Sequence, residues 1–324
     1  MSKLCRVAVA ASIAGIIVQP LHSGAQGYPA KPVRIVIGFS AGSTTDLIGR
    51  VLAVKMAEGL GQPVVVDNRP GAGANIAAEL VAKSPPDGYT VLLANAGLAT
   101  GATAYVKLNF NALRDFAPVS QVSATPHILV MHPSLPPKSV KELVAFTRAR
   151  PGELNYSSTG HGNSDHLAAE LFSYMTGIKM VHVTYKGGPQ ALGDVIAGQI
   201  AMYFAGVPTA LPLVKAARVK ALGVTGATRA RVLPEIPTIA EAGITGYEHI
   251  LWSMLVVPTA TPKEIVARLN SEAVKTLATA EVRERYAGMG VEPTGSTPEQ
   301  ATAYLKSETE KYAKVVKAIG LRIE

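Results

Sequence analysis

Val33-Arg-Ile-Val-Ile-Gly38, the loop Phe39-Ser-Ala-Gly-Ser-Thr-Thr45 and the periodic stretch 46–60 together decide the fold. The first is short, apolar and β-branched, and reads as a buried strand. After the small-residue loop, Leu47, Val51, Val54 and Met56 recur on or near one helix face, and Gly61 supplies a C-cap. Residues 63–67 form the next strand, 68–73 a turn and 75–83 a short helix. Pro85-Pro-Asp-Gly88 is turn chemistry before a strand over 89–93. Strand, helix, strand, helix, strand is the pattern of a parallel sheet covered on both faces.

The pattern restarts after Pro118. A long apolar stretch over 119–131 is enough for one or two strands. Helices are expected over 139–150, with Ser139 and Glu142 as a capping box, over 164–176, and after Lys186-Gly-Gly188, where Pro189 suits a first turn. Strands fall at 154–157, 180–185, 200–204, 219–224 and 251–257. Two helices close the chain, at 262–278 and 297–318. The expected fold class is α/β with two lobes, each a mostly parallel sheet flanked by helices. The apolar strands near 119–131 and 249–257 are the natural crossings, so the last segment returns to the first lobe. Two crossings imply a hinge and a cleft. The expected divisions are 26–123 with 251–324 for the first lobe and 124–250 for the second.

The N-terminus bounds the cellular setting. Lys3 and Arg6 precede an unbroken run of small and apolar residues over 7–18. Gln19-Pro20 breaks that run, and Ser23-Gly-Ala25 offers small residues to a signal peptidase. This reads as a secretory signal peptide, residues 1–25, cleaved near Ala25. Its removal takes away Cys5, the only cysteine. The mature chain then has no disulfide, no thiolate nucleophile and no Cys-ligated zinc, which fits a bacterial periplasm. The full chain of 324 residues carries 31 Lys and Arg against 23 acids, but these bases do not cluster, and aromatics are 6%. Nucleic-acid partners are therefore not expected.

Two loops carry the chemistry. Phe39, Ser40, Ala41, Gly42, Ser43, Thr44, Thr45 and Asp46 lie at the carboxyl end of the first strand and open a helix. Free N–H groups and the positive end of the dipole suit an anion there. Ser43 with Asp46 is also a capping box in its own right. Ser158, Thr159, Gly160, Asn163 and Ser164 repeat the arrangement in the second lobe, so the two helix starts can clamp one anion. His161 and His166 invite a metal reading. No third ligand lies near them in sequence and their spacing is not i, i+4, so no metal and no cofactor is expected. A Ser164–His166–Asp46 hydrolase set can be drawn, but no Gly-x-Ser-x-Gly elbow accompanies it. Gly71-Ala-Gly-Ala-Asn-Ile76 has Ile where a dinucleotide fingerprint needs its third glycine. Lys186, before another helix start, is a candidate anion ligand.

Read together, these segments make the chain resemble the Bug-type or TctC-like periplasmic substrate-binding proteins of tripartite tricarboxylate transporters. The resemblance rests on Tyr28-Pro-Ala-Lys-Pro-Val-Arg34, Gly61-Gln-Pro-Val-Val-Val-Asp-Asn-Arg-Pro-Gly-Ala-Gly73, Pro86-Asp-Gly-Tyr-Thr90, Asp115-Phe-Ala-Pro-Val119 and Asn155-Tyr-Ser-Ser-Thr-Gly160. It continues through Val181-His-Val-Thr-Tyr-Lys-Gly187, Pro237-Thr-Ile-Ala-Glu-Ala-Gly243 and Gly295-Ser-Thr-Pro-Glu299. The resemblance implies a two-lobed type II periplasmic-binding-protein (Venus flytrap) fold closing over a small organic carboxylate. It implies a non-enzymatic monomer that serves membrane transporter subunits. Carried over by position, the loops 39–46 and 158–164 would hold one carboxylate, Asn95 and Ala96 would form pocket wall, and Tyr185 and Lys186 would face the ligand's far end. Two departures stand out. The family's Pro-Phe-Pro-Ala-Gly-Gly is here Gly38-Phe-Ser-Ala-Gly-Ser43. Ala205 stands where the family carries Asp, which disfavours an amino-acid ligand. The alternatives are a secreted hydrolase built on a Ser/His/Asp set and a solute receptor for a sensor kinase.

Overall fold

The structure is a computed structural model that describes residues 27–323. The expected signal peptide, residues 1–25, lies outside them. In the first lobe, β1 (Val33–Ile37), α1 (Thr44–Leu60), β2 (Val64–Asn68), α2 (Asn75–Ala82), β3 (Thr90–Ala94) and α3 (Ala96–Ala104) follow one another. The long β4 (Phe116–Met131) leads to α4 (Val140–Arg148), β5 (Asn155–Ser158), α5 (Ser164–Thr176) and β6 (Val181–Thr184). Then come α6 (Gly188–Ile196), β7 (Met202–Gly206), α7 (Val207–Lys215) and β8 (Lys220–Val224). The return strand β9 (Ile250–Pro258) is followed by α8 (Lys263–Ala278), α9 (Ala280–Met289), β10 (Glu292–Pro293) and α10 (Pro298–Ile319).

The strands lie in the order β2-β1-β3-β9-β4-β7-β5-β6, with β8 and β10 also paired to β4. β1, β2 and β3 are mutually parallel, as are β5, β6 and β7. The expected parallel βαβ arrangement therefore holds at both outer ends of the sheet. The two crossing strands are antiparallel to their neighbours. β4 pairs with β9 from Phe116↔Pro258 to Pro126↔Ile250, and one residue later His127 pairs with Gly206 of β7. The 119–131 stretch is thus one strand that changes partners midway.

Four apolar clusters cover the faces of this sheet. Alternation along β1 sends Ile35 and Ile37 to one face, against Ile48, Leu52 and Met56 of α1 and Leu269 of α8. Val36 points to the other face, with Val81, Trp252, Leu305 and Tyr312. The buried Trp252 indole donates to Glu308 Oε2 at 2.9 Å and so ties α10 to β9. In the second lobe Leu129, Phe172 and Phe204 form one cluster, and Ile128, Leu192 and Val207 the other. No helix among the described residues is long and apolar enough to cross a membrane.

The sequence reading missed α3, α7 and α9. α3 contains Gly97, Thr100 and Gly101, all poor helix formers, and has no polar face to give it a period. α7 carries Pro212 in its interior, although Pro208 at its start is a fair signal. α9 follows α8 almost without a break, and only Thr279 marks the junction, its side chain accepting from Val282 N–H.

Candidate functional site

The parallel strands β1 and β3 of one lobe and β5, β6 and β7 of the other all end toward the same region. Each is followed there by a helix start, so α1, α3, α5, α6 and α7 bring their N-termini into one cleft. On one flank Ser40 N–H donates to Lys186 O at 3.2 Å, Ser40 Oγ to Gln190 Oε1 at 3.1 Å, and the Thr44 and Thr209 hydroxyls meet at 2.5 Å. On the other flank Thr100 Oγ1 donates to Gly162 O at 2.6 Å and Tyr105 Oη to His161 O at 3.1 Å. The lobes are therefore shut on each other. A recess of about 10 Å³ on the first-lobe side lies among Phe39, Gly73, Asn75 and Asn95, room for about one water molecule. The bridges on both flanks would have to open to admit an organic acid. A larger cavity of about 840 Å³ lies elsewhere, beside the crossing strands, lined by Thr125, Pro126, Arg229, Ile250 and Arg283.

A buried aspartate shapes each loop. In the first, Ser43 is the N-cap and its side chain accepts from Asp46 N–H. The Asp46 carboxylate does not close the expected box onto Ser43. It accepts from Gly42 N–H at 2.8 Å, from Arg50 Nε at 2.9 Å and from Asn68 Nδ2 at 2.9 Å. Burial pushes its pKa up, but the Arg50 and Asn68 side chains and the Gly42 N–H outweigh that and hold it below the ordinary range. In the second loop Asp165 accepts from Thr159 N–H at 2.7 Å, Tyr203 Oη at 3.0 Å and His166 N–H at 2.9 Å. Here burial wins and pushes the carboxyl up to about 6 despite those donors. The sequence reading missed Asp165, Gln190, Thr209 and Thr100. Asp165 sits in the first turn of α5 as Asp46 does in α1, and that parallel is a signal the sequence offers.

The raised Asp165 value has a measurable consequence. Its folded pKa lies above the unfolded value, so its stabilising contribution is complete in acid and is lost as pH rises through about 4 to 6. The Asp165→Asn variant cannot ionise. Relative to the parent, its unfolding free energy should rise by about 2 kcal/mol between pH 4 and pH 7. Denaturant unfolding across that range checks this, and a difference that stays flat with pH contradicts it.

The remaining candidate residues divide clearly. Phe39 is buried and Ser40, Ala41 and Gly42 reach solvent, whereas Ser43, Thr44 and Thr45 are buried at the start of α1. The first helical N–H groups at Thr44 and Thr45, and at Ser164 and Asp165 of α5, have no intrahelical acceptor. Asn95 caps α3, its Oδ1 accepting from Gly97 N–H at 3.0 Å, and Ala96 is fully buried behind it. Asn163 is the N-cap residue of α5. Its Nδ2 donates to Thr159 O, and its buried Oδ1 has no partner among the described residues. Ser158 is fully buried, with its hydroxyl already engaged by Gly160 and by His182 Nε2 at 2.6 Å. The Tyr185 hydroxyl donates to Asp194 at 2.5 Å, burial and then that bond push its pKa up to about 12, and Lys186 is exposed. Ala205 is fully buried in the apolar cluster with Ile128 and Val207.

The drawn hydrolase set does not assemble. Ser164 Oγ meets His249 Nε2 at 2.9 Å, His166 Nδ1 accepts from Gly162 N–H, and Asp46 is held in the other lobe. The premise that His161 and His166 lack a third partner also falls, because the fold brings His182 against both.

Comparison with known proteins agrees with this architecture. The model of the tripartite tricarboxylate transporter family receptor matches residues 48–321. The chain is 34% identical over 302 residues to protein BugT of Bordetella pertussis, covering 93% of each. It superposes on R. palustris Rpa4515 with adipate at a TM-score of 0.88, with 36% identity, covering 91% of this chain and 99% of that one. It superposes on MatC (Rpa3494) from Rhodopseudomonas palustris with bound malate at 0.85, with 29% identity, covering 89% and 100%. The two-lobed α/β fold, the paired helix starts at its cleft and these matches along nearly the whole described chain lead to one conclusion: this protein belongs to the TctC receptor family, the Bug-type solute-binding receptors of tripartite tricarboxylate transport.

Proposed function

We propose that the chain is a periplasmic solute-binding protein, not an enzyme. In this reading it captures a small organic carboxylate between lobes formed by residues 26–123 with 251–324 and by 124–250. Acting as a monomer, it delivers that ligand to the membrane subunits of a tripartite tricarboxylate transporter. The N-terminal segment 1–25 would direct it to the periplasm. The observation that carries the reading is the apposition of helix starts across the cleft: the α1 loop meets Lys186, Gln190 and Thr209 of the other lobe, and the α5 loop meets Thr100 and Tyr105 of the first. Unpaired N–H groups at Thr44, Thr45 and Ser164 would receive one carboxylate. Asn95, Ala96 and Gly160 would wall the pocket, and Tyr185, Lys186 and Ala205 would lie toward the ligand's far end. The adipate and malate held by the two relatives support the substrate class.

A second carboxylate is favoured over an ammonium at the far end. Asp46 and Asp165 already spend their oxygens on loop donors, and an ammonium taken from water needs an unspent carboxylate. The test is thermal unfolding and calorimetry with a panel of acids. At about 100 times its Kd, a bound ligand stabilises by about 2.7 kcal/mol. Adipate or malate should raise the melting temperature and bind ahead of glutamate. Stabilisation by a neutral sugar with no response to any carboxylate overturns the reading.

A further inference from the structure

His161, His166 and His182 come from three separate elements. His161 is at the tip of the loop before α5, His166 is the third residue of α5, and His182 is the second residue of β6. Each offers a ring nitrogen, and the three nitrogens lie within 4.8 Å of one another. The ring centroids are 5.5 Å apart for His161 and His166, 4.7 Å for His161 and His182, and 4.1 Å for His166 and His182. The His161 ring stands nearly edge to face to the other two, at 77° to His166 and 88° to His182. Nitrogens around a tetrahedral zinc ion stand about 3.3 Å apart at Zn–N distances near 2.0–2.1 Å. Reaching that spacing from separations within 4.8 Å requires the nitrogens to draw inward by at most about 1.5 Å.

The surroundings suit a cation. His166 is 2% exposed, His182 is half-buried and His161 is exposed, so the cluster is backed by protein and open on one side. Tyr156 stacks on His182 at 4.9 Å, and its hydroxyl donates to Glu170. The Glu170 Oε1 lies 3.9 Å from His166 Nε2 and brings the charge-balancing carboxylate. Ser158 Oγ, 2.6 Å from His182 Nε2, can accept that N–H and leave Nδ1 as a lone-pair donor, as outer partners of metal-bound imidazoles do. Three imidazoles flanked by one carboxylate suit zinc, copper, nickel or cobalt and not magnesium or calcium.

We propose that His161, His166 and His182 bind one divalent transition-metal ion, with Glu170 beside it, and that this ion staples the 159–163 loop to α5 and β6. The ion also changes what Gly162 N–H meets. Bound at His166 Nδ1 it displaces that N–H, which donates there at 3.2 Å, and bound at Nε2 it drives the ring proton onto Nδ1. The Gly162 carbonyl accepts from Thr100 of the other lobe, so the ion acts on a segment that spans the cleft.

The test uses the mature chain without a polyhistidine tag, stripped of metal with a chelator. Zinc chloride titrated in a calorimeter should bind one ion per chain and raise the melting temperature, and magnesium chloride should do neither. X-ray absorption of the zinc-loaded protein should show about three nitrogen neighbours near 2.0 Å. His161 is exposed, so His161→Ala should keep the metal-free melting temperature of the parent and weaken zinc binding by roughly tenfold or more. His182→Gln, which retains a polar partner for Ser158, should do the same. Zinc binding that is absent from the parent, or that survives unchanged in His161→Ala, overturns the proposal. These readouts need no carboxylate, so they stand or fall apart from the transport reading.

Discussion

Replacing Gly73 with alanine should give a folded chain that can no longer shut on a carboxylate. Gly73 has φ +61°, and a Cβ there would stand 2.7 Å from His161 O and 2.8 Å from the Tyr105 hydroxyl. The tyrosine can swing aside. The His161 carbonyl is main chain of the opposite lobe and cannot. Gly160 faces Gly73 from that lobe, where a Cβ would fall 2.8 Å from Gly73 Cα. The left-handed conformation alone costs alanine about 1–2 kcal/mol in the open and closed forms alike, whereas the clash exists only when the lobes meet. Carboxylate affinity should therefore fall at least about tenfold, a loss of about 1.4 kcal/mol or more. Small-angle scattering should show the compaction expected of the parent on ligand addition to be missing. Gly177→Ala is the matched control, because its φ is +67° and nothing lies within 4 Å of the added Cβ. It should lose stability without losing affinity. If Gly73→Ala compacts and binds as the parent does, closure does not bring these two glycines together.

What the sequence discloses and conceals has a physical basis. The strand at 33–37, its loop and its helix were legible because all three signals are local: a β-branched run, small residues and a 3.6-residue apolar period ended by Gly61. The stretch 119–131 was legible as a crossing by its length and apolarity. Its change of partner at His127 was not, since pairing there is decided by Ile250, opposite Pro126, and Gly206, opposite His127, which lie far along the chain. The same limit governs the site. Ser43 and Asp46 announce a cap, yet the carboxylate's true partners, Arg50 and Asn68, depend on how α1 lies against β2. His182 gave no sign of joining His161 and His166, because only the register Tyr156↔His182 between β5 and β6 carries it there. Thr209 was hidden with the helix that bears it.

Asp46→Ala should be the most damaging single change at the cleft. The carboxylate is 1% exposed and receives Gly42 N–H, Arg50 Nε and Asn68 Nδ2. Asn68 in turn donates to Phe39 O at 2.9 Å, so one side chain fastens both ends of the first loop to β2. Arg50 is half-exposed and can turn to water once its partner is gone. Gly42 N–H and the Asn68 amide are partly buried, and Asn68 keeps Phe39 O, so their freed donors cost less than the roughly 1–3 kcal/mol of a fully buried one. A loss of roughly 1–3 kcal/mol at pH 7 follows, with carboxylate affinity down more than about tenfold because Thr44 and Thr45 no longer sit in a fixed loop. The sign of the pH dependence is set by the lowered pKa. The folded carboxyl holds its proton less tightly than the unfolded one, so its contribution is present above pH ~4 and is lost as pH falls below that. The stability gap between parent and Asp46→Ala should shrink in acid, the opposite of the trend at Asp165. Ser43→Ala removes only the cap to Asp46 N–H and should cost about 1 kcal/mol at every pH. Denaturant unfolding of the three proteins at about pH 2.5 and pH 7 separates these cases. If Asp46→Ala unfolds within about 0.5 kcal/mol of the parent at pH 7, the carboxylate does not fasten the loop and the anion site must be held by something else.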